Sequence, residues 1–312
     1  MDITLRDAAA RIRAGELVAF PTETVYGLGA NALDAVAVEK IYAAKGRPST
    51  SPLIVHVASV SMASALVTAW PAEAEVLAQS FWPGPLTIVL PKKPHVPDIV
   101  TAGLPTVGVR MPEHPMALAL IREAEVPIAA PSANRFMQLS PTTAAHVCET
   151  FGDAIPVLDG GPCRVGIEST VVSIASVNGA GKVTLLRPGA ISAAAIAEVI
   201  GREPDEIEQA TMPSDGSAHT SPGMHERHYS PRTPLVLTTA PDAKGAYLFY
   251  AHVAHAARVF QIPNDPAEYA AHLYSALHEL DREGWPVIGV EPPPETPEWV
   301  AVRDRLQRAA TQ

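Results

Sequence analysis

The sequence predicts an α/β protein of two domains. Through the first 200 residues, short apolar runs that end at proline or glycine alternate with stretches of helical periodicity, as strands and helices do in a layered domain. Residues 202–234 are instead rich in Pro, Ser, Asp, Gly and Thr, and a second series of apolar runs follows them. We therefore expect a large domain over residues 1–205, a linker over 206–234 and a small C-terminal α/β domain over 235–312.

The elements of the large domain follow from apolar spacing and from the residues that start and stop them. Asp34 and Ser192 are expected helix N-caps, Ser140-Pro141 is expected to open a helix, and Asn178-Gly179 is the expected turn of a hairpin. Helices are expected at residues 7–14, 35–44, 61–69, 71–80, 116–125, 141–151 and 193–200. Strands are expected at 17–20, 53–57, 86–90, 106–110, 128–130, 169–174 and 183–187, and a strand followed by a turn is expected at 156–161.

The small domain is predicted from the pattern after residue 234. Strands are expected at 234–237, 246–249 and 286–290, and helices at 267–283 and 299–310. This alternation indicates a βα domain of about 80 residues, which lies within the usual size range of domains.

Composition excludes several classes of protein. A net charge of −10 disfavours general nucleic-acid binding, because that affinity comes mainly from Lys and Arg. Two cysteines are too few for a disulfide framework, so we expect a reducing, cytoplasmic location. The chain has no run of 18 apolar residues and no apolar stretch at its N-terminus, so we expect neither membrane insertion nor export.

Two loops carry the residue types that hold an anion. Lys45 and Arg47 lie one residue apart in a proline-bounded loop, and Ser132 and Asn134 have the same spacing after another predicted strand. Loops beyond the carboxyl ends of strands converge on one crevice in an open sheet, so we expect these four side chains to face one ligand. Cations with a hydroxyl and an amide suit a phosphate. The alternative is that the two cations are ordinary solvated charges.

Other polar residues allow two interpretations. Arg110 and Arg187 each end an apolar run, where arginine is usually a surface residue but also suits a carboxylate or phosphate. His56 lies inside an apolar run and is more typical of a core residue. The sequence Gly27-Leu28-Gly29-Ala30-Asn31-Ala32 matches a dinucleotide fingerprint only weakly, because six residues separate it from the preceding strand.

Histidine pairs suggest a metal site only weakly. His225 and His228, and likewise His252 and His255, have a spacing that allows metal binding. The chain lacks an HExxH motif and has two cysteines, so we expect no metal held by protein side chains. A divalent ion carried by a nucleotide is the better expectation.

Eight motifs follow one another along the large domain: Phe20–Leu28, Lys45–Pro48, Pro52–Val57, Trp82–Thr87, Val109–Pro112, Ala130–Asn134, Glu168–Val172 and Leu186–Gly189. Taken together, they resemble the YrdC-like family, in its long two-domain form that makes threonylcarbamoyladenylate. The linker segment 221–231 is similar to the segment that closes over the site in that form, although His225 stands where lysine is expected.

The resemblance implies a fold and an activity. The expected fold is a twisted open mixed sheet with a concave cationic cleft, followed by a small Rossmann-like domain. The expected reaction joins L-threonine, bicarbonate and ATP, with Mg²⁺, into threonylcarbamoyl-AMP and pyrophosphate. This is the first step towards threonylcarbamoyladenosine at position 37 of tRNA, so a downstream threonylcarbamoyl-transferase complex is the expected partner.

The resemblance also implies roles for individual residues. Lys45, Arg47, Ser132 and Asn134 form the expected catalytic group. The expected ATP-binding residues are Arg47, Ser51, Thr106, Ser132, Ser140, Arg187 and Tyr229. The expected threonine-binding residues are Thr24, His56, Arg110, Ala130 and Ser169.

Three alternatives stand beside this interpretation. A YrdC-like protein that binds RNA without turnover is the first, and the charge of −10 counts against it. The related carbamoyl-transfer domain of hydrogenase maturation proteins is the second, but it accompanies cysteine-rich zinc fingers that two cysteines cannot form. A scaffold role is the third, and it leaves the four loop residues without a shared purpose.

Overall fold

The computed structural model describes residues 3–177, 180–210 and 228–310, which form two units with one β-sheet each. Within these ranges, no helix is both long enough and apolar enough to cross a membrane. The predicted turn Asn178-Gly179 and most of the predicted linker, including His225, lie outside the described residues.

The helices follow the predicted order with small shifts at their ends. Asp34 and Ser192 are N-caps as predicted, and each accepts a backbone N–H from the first turn of its helix. The helix predicted from Pro141 is wrong at its start, because Thr143 is the N-cap and accepts the N–H of His146. The described α-helices are α1 (Leu5–Arg13), α2 (Ala35–Lys45), α3 (Val60–Leu66), α4 (Ala72–Phe81), α5 (Asp98–Thr101), α6 (Pro115–Ala124), α7 (Ala144–Phe151), α8 (Ala193–Val199), α9 (Pro266–Glu283) and α10 (Val300–Ala310).

The strands form a large mixed sheet and a small parallel one. The large sheet has the order β1-β2-β6-β3-β5-β4-β7-β8-β9, and the small sheet has the order β10-β13-β11-β12. The predicted mixed α/β architecture with a second small domain is confirmed. The strands are β1 (Val18–Phe20), β2 (Gly27–Asn31), β3 (Ile54–His56), β4 (Leu86–Pro91), β5 (Thr106–Arg110), β6 (Ile128–Ala129), β7 (Thr170–Val177), β8 (Ala180–Arg187), β9 (Glu208–Gln209), β10 (Leu235–Leu237), β11 (Ala246–Phe249), β12 (Arg258–Gln261) and β13 (Ile288–Val290).

Sequence patterns missed β2, whose residues have low strand propensity. A side chain at Gly29 would place its Cβ 2.8 Å from the Phe20 ring and 2.9 Å from Ile128. Glycine is therefore required here by close packing rather than by a nucleotide. The strand predicted at 156–161 is also wrong, since Val157 makes only an isolated bridge to Ala19.

The small unit packs α9 and α10 with its sheet. All of its strand pairs are parallel, including the pair formed by β12, which the sequence did not predict. Tyr269, Leu273 and Leu277 of α9 and Leu306 of α10 are buried in one apolar core. The spacing of the α9 residues is that of a helix with one face buried.

The two units share this core and a polar junction. Val25 and Ile167 of the large unit belong to the same apolar cluster as α9. At Gly166, which has a φ of +76°, a Cβ would lie 2.4 Å from the Ala270 carbonyl oxygen, so the backbones approach too closely for any side chain. The rings of His146 on α7 and His278 on α9 stack with centroids 4.0 Å apart. The C-terminal unit therefore packs tightly against the large unit.

Candidate active site

A cavity of about 50 Å³ is bounded by β3, by the carboxyl ends of β5 and β8, and by the described end of the linker. Ile54 and His56 of β3 both line it, as expected for side chains two residues apart on one face of a strand. His228 and Tyr229 of the linker lie on its other side. The site is therefore formed between the large sheet and the chain that leads to the C-terminal unit.

The five residues expected to bind threonine all line this cavity. They come from five segments: the loop before β2, the strand β3, the end of β5, the loop that follows β6 and the loop that precedes β7. The residues are Thr24, His56, Arg110, Ala130 and Ser169.

Arg110 is fixed in one orientation by a buried ion pair. Its side chain is 4% exposed, and its Nη2 donates to Glu23 Oε1 at 2.6 Å. Its Nη1 donates to Thr24 Oγ1 at 3.0 Å, and its Nε donates to the Gly84 carbonyl at 3.2 Å. A guanidinium held at three nitrogens presents a defined edge to the cavity, which suits a carboxylate ligand.

His56 is a neutral group beside this pair. Burial, and then the charge of Arg110, lower the pKa of His56 to about 3. Its Nδ1 is buried and has no hydrogen-bond partner among the described residues. Buried polar atoms are usually paired, so this nitrogen is available for a polar group of a ligand.

Arg187 and Ser169 form a second network at the end of β8. Arg187 donates from Nε to the Ser169 carbonyl and from Nη2 to Ser169 Oγ, both at 3.1 Å. Ser169 Oγ also lies 2.8 Å from Thr87 Oγ1. Burial lowers the pKa of Arg187. The network therefore fixes a buried cation and a hydroxyl at the wall of the cavity.

The two predicted polar loops meet through Lys45. Its ammonium donates to the carbonyls of Ser132 and Asn134 at 2.6 and 2.5 Å, and the residue is 2% exposed. Burial, and then the charge of Arg47, lower the pKa of Lys45 well below its ordinary value. In this arrangement Lys45 organises the loop 132–134, while Arg47 and Ser132 line the cavity.

The directions of β3 and β6 explain why these two loops meet. They differ from the directions that the sequence analysis assumed, in which both loops follow the carboxyl ends of strands. Arg47 precedes β3 and Ser132 follows β6, so the two residues lie at opposite ends of their strands along the chain. β3 and β6 are antiparallel, which places the start of one beside the end of the other. The two loops were therefore correctly expected to meet, but the reason given, that both follow carboxyl ends of strands, was wrong.

The expected ATP-binding residues divide into two groups. Burial lowers the pKa of Arg47 to about 10, which leaves it charged at neutral pH. Ser51 and Ser140 are buried behind the cavity wall, and Thr106 borders a separate cavity of about 10 Å³. Asn134 also lies outside the cavity lining, with its amide nitrogen bonded to the carbonyls of Arg135 and Gln138. Arg47, Ser132, Arg187 and Tyr229 line the cavity.

Glu168 is a cavity residue that sequence reasoning did not assign. Its carboxylate accepts hydrogen bonds from Ser140 Oγ at 2.5 Å, from Arg305 Nε at 2.7 Å and from the Tyr274 hydroxyl at 3.2 Å. The signal was its place in a motif directly before Ser169. The sequence also held an indication of Arg305, because this charged residue lies on the apolar face of α10 with Val302 and Leu306.

The residues that the structure describes include no group of three or more His, Cys, Asp or Glu that is able to hold a metal ion. Of the predicted histidine pairs, His225 lies outside the described ranges, and His252 Nδ1 contacts Glu291 Oε1 at 2.5 Å. The carboxylates beside the cavity, Glu23 and Glu168, are each paired with an arginine. They do not form an open set of oxygen ligands of the kind that Mg²⁺ requires.

Two family models together match almost the whole chain. One, described as "Telomere recombination", matches residues 10–189, and one described as "Threonylcarbamoyl-AMP synthase, C-terminal domain" matches residues 191–311. The chain is 43% identical over 324 residues to the threonylcarbamoyl-AMP synthase of Pyrococcus abyssi, covering 98% of this chain and 94% of that one. It is 42% identical over 330 residues to the Bacillus subtilis threonylcarbamoyl-AMP synthase, covering 99% and 93%.

The fold agrees with these matches. The crystal structure of P. abyssi Sua5 complexed with L-threonine superposes with a TM-score of 0.90, covering 98% of this chain and 94% of that chain at 43% identity. The chain therefore belongs to the threonylcarbamoyl-AMP synthase family, as a member with both of the domains that the two family models describe.

Proposed function

We propose that this protein makes L-threonylcarbamoyl-AMP and pyrophosphate from L-threonine, bicarbonate and ATP, for the threonylcarbamoyladenosine modification of tRNA. The observation that carries the proposal is that Arg47, Arg110 and Arg187 line one buried cavity together with the predicted threonine-binding residues. Three guanidinium groups around one small space suit a substrate set that carries a carboxylate, a carbamate and a triphosphate.

We place the threonine at the Arg110 end of the cavity. The bidentate edge of Arg110 suits the substrate carboxylate, and neutral His56 and the Thr24 hydroxyl supply polar contacts to the rest of the molecule. Ala130 and Ser169 complete this pocket. The ion pair with Glu23 keeps Arg110 in place before the substrate binds, so the substrate does not bear the entropy cost of ordering it.

We place the nucleotide phosphates at the Arg47 and Arg187 end, which makes the cavity a cationic cleft. Ser132 lines the same cavity and supplies a hydroxyl contact, and Lys45 and Asn134 hold its loop in shape. A triphosphate that approaches this loop favours the charged form of Lys45 and raises its pKa. Ser51, Thr106 and Ser140 contact the nucleotide only if it extends beyond the present cavity wall.

The chemistry needs positioned charge rather than a covalent nucleophile. The threonine amine and bicarbonate form a carbamate with loss of water, and a carbamate oxygen then attacks the α-phosphorus of ATP. A new P–O bond forms as the bond to the β-phosphate oxygen breaks, and pyrophosphate leaves. Arg47 and Arg187 neutralise the charge that develops on the phosphates. Mg²⁺ bound to the phosphates supplies further charge neutralisation.

His228 and Tyr229 have to move during this cycle. A cavity of about 50 Å³ holds only a few water molecules, and His228 and Tyr229 form one side of it. A nucleotide therefore enters only after this segment is displaced, and the segment closes again over the bound substrates. We retain residues 206–234 as the linker, between a catalytic domain over 1–205 and a Rossmann-like C-terminal domain over 235–312.

The product determines the partner that we propose. A mixed carbamic–phosphoric anhydride is labile in water, so it passes to a threonylcarbamoyl-transferase complex that acts on tRNA. Stable binding of tRNA by this chain itself is not expected at a net charge of −10. Both cysteines are free thiols, in keeping with a cytoplasmic location.

The proposal is tested by following pyrophosphate from purified protein with threonine, bicarbonate, ATP and Mg²⁺. Release is expected only when all three substrates are present. Arg47→Ala is expected to lower the rate about 10²- to 10³-fold, as removal of one well-placed donor does. Arg122→Ala, on the exposed side of α6, is the matched control and keeps the full rate. Release without threonine, or salt-sensitive tRNA binding without turnover, would contradict the proposal and favour the RNA-binding alternative.

A further inference from the structure

Arg305 is a fully buried arginine in the C-terminal unit. It lies on α10 and its side chain is 0% exposed. A guanidinium is expensive to remove from water unless charged and hydrogen-bonding groups surround it. The charged and hydrogen-bonding groups around Arg305 therefore indicate its role in the protein.

Most of the partners of Arg305 belong to the large unit. Its Nε donates to Glu168 Oε2 at 2.7 Å, and its Nη2 donates to the Pro188 carbonyl at 3.0 Å and to the Glu168 carbonyl at 3.4 Å. Within its own helix it bonds Asp304 at 2.5 Å. Arg305 thus crosses the junction and ends at a carboxylate that lines the cavity.

The charge of Glu168 makes this contact important for the site. A carboxylate among Arg47, Arg187 and the proposed phosphates would repel an anionic substrate. Arg305 neutralises it, and the hydroxyls of Ser140 and Tyr274 each donate to one of its two oxygens. The pair therefore keeps the cavity favourable to an anion.

Arg305 also supports the linker residue that closes the cavity. Its guanidinium carbon lies 5.1 Å from the centroid of the Tyr229 ring, a cation–π distance. Tyr229 is 1% exposed and has a φ of +59°, which a tyrosine adopts only when its surroundings hold it there. On either side, the N–H of His228 donates to the Arg308 carbonyl, and Ser230 Oγ donates to the Ala309 carbonyl.

We propose that Arg305 is a positioning residue for the reaction: it holds Glu168 and Tyr229 at the nucleotide end of the cavity. This inference rests on the proposed function and gives the C-terminal unit a part in it. The unit neutralises a carboxylate of the site and supports the closed linker. Arg305 itself touches no substrate.

The first test is Arg305→Gln in the full-length chain. We expect kcat/KM for ATP to fall about 10- to 100-fold, as is typical when a group that orients a site residue is lost. The KM for threonine is expected to change by less than about twofold, because Arg110 is held by Glu23 and not by Arg305. A general loss of folded protein would instead lower kcat and leave both KM values unchanged.

The second test asks whether Arg305 acts through Glu168. In a Glu168→Gln background no buried carboxylate needs neutralising, so adding Arg305→Gln is expected to lower kcat/KM for ATP by less than about threefold. An undiminished effect of Arg305→Gln in that background would overturn the proposal. Binding of ATP, measured by calorimetry in the absence of threonine, gives the same comparison without turnover.

Two further variants keep the inference falsifiable. Arg303→Gln is the control on the same helix, because Arg303 donates to the Pro294 carbonyl within its own unit; equal kinetics for the two arginine variants would overturn the proposal. If Arg305→Gln does not fold, Tyr274→Phe removes only one hydroxyl from Glu168, and an unchanged KM for ATP there would also overturn it. Failure of the wild-type chain to release pyrophosphate contradicts the proposed function instead.

Discussion

Two buried arginine–glutamate pairs border the cavity, and they come from different parts of the chain. Glu23 and Arg110 lie 2.6 Å apart within the large unit, and Glu168 and Arg305 lie 2.7 Å apart across the junction of the two units. In the first pair the arginine lines the cavity, whereas in the second it is the glutamate. The same interaction therefore presents a cation to the cavity in the first case and a neutralised carboxylate in the second.

This difference suggests that one pair serves ligand binding and that the other supports a residue of the cavity wall. A buried pair is costly to assemble and more costly to break, because one charge is then left without a partner in a poorly solvated place. In the proposed function, the Glu23 pair holds Arg110 ready for a ligand, and the Arg305 pair prevents Glu168 from repelling one. The Arg305 pair also links the cavity to the C-terminal unit. Variants of the two pairs should therefore differ in which substrate they affect.

The largest expected effect is at the first pair. Arg110→Lys keeps the charge but loses the planar fork that reaches Glu23, Thr24 and the ligand at once. We expect kcat/KM for threonine to fall about 10²- to 10³-fold, measured by pyrophosphate release. A variant with an unchanged value for threonine but a lower value for ATP would assign the two ends of the cavity the other way round.

Breaking the pair of Glu168 and Arg305 is expected to lower the stability of the folded protein. Glu168→Gln removes the Glu168 carboxylate from the buried Arg305 guanidinium, which keeps its contact with Asp304, and we expect the free energy of unfolding to fall by about 3–5 kcal/mol. Urea unfolding followed by circular dichroism measures this change. A loss below about 1 kcal/mol, the range of exposed ion pairs, would mean that the pair does not hold the junction together.

A smaller effect is expected from acid. The pKa of buried His56 falls from an ordinary 6.5 to about 3, so the unfolded chain binds the proton more readily than the folded one. Its contribution to stability is therefore complete above pH 6.5 and is lost as the pH falls towards 3, by at most about 1.4 kcal/mol per pH unit. His56→Gln should make the dependence of unfolding free energy on pH shallower, and an identical slope would contradict this assignment.

The smallest effect is expected at a pair on the surface. Arg164 and Glu113 form an ion pair in which both side chains are at least half exposed. Arg164→Gln is expected to change the free energy of unfolding by less than about 1 kcal/mol and to leave pyrophosphate release unchanged. A larger loss of stability would show that the contribution of an ion pair to stability does not depend on its exposure in this protein.

Much of the fold was predictable because its signals are local. Helical spacing and capping residues located α2 and α8 to within a residue or two, and the apolar run ending in Arg110 located β5. β2 was missed because its small residues have no strand propensity and are selected by packing against Phe20 and Ile128. The start of α7 was misplaced because Ser140, the expected cap, donates its hydroxyl to Glu168, while Thr143 caps the helix.

The site was predictable in its residue types and less so in their contacts. All five residues that were predicted to bind threonine line the cavity, whereas Lys45 and Asn134 hold the loop beside it. A sequence gives the chemistry of a side chain but not the direction in which it points. Glu168 and Arg305 were not assigned a role because the role of each depends on its contact with the other, which the sequence does not reveal.

The sequence by itself determined the α/β class, the two-part organisation and the set of cations and hydroxyls available for an anion. Those properties depend on composition and on periods of two and 3.6 residues, which act over a few positions. Tertiary structure alone decided which pairs form, since Glu168 and Arg305 stand 137 positions apart in the chain. Their contact exists only because two separately patterned units bury one core together, and no local spacing records that packing.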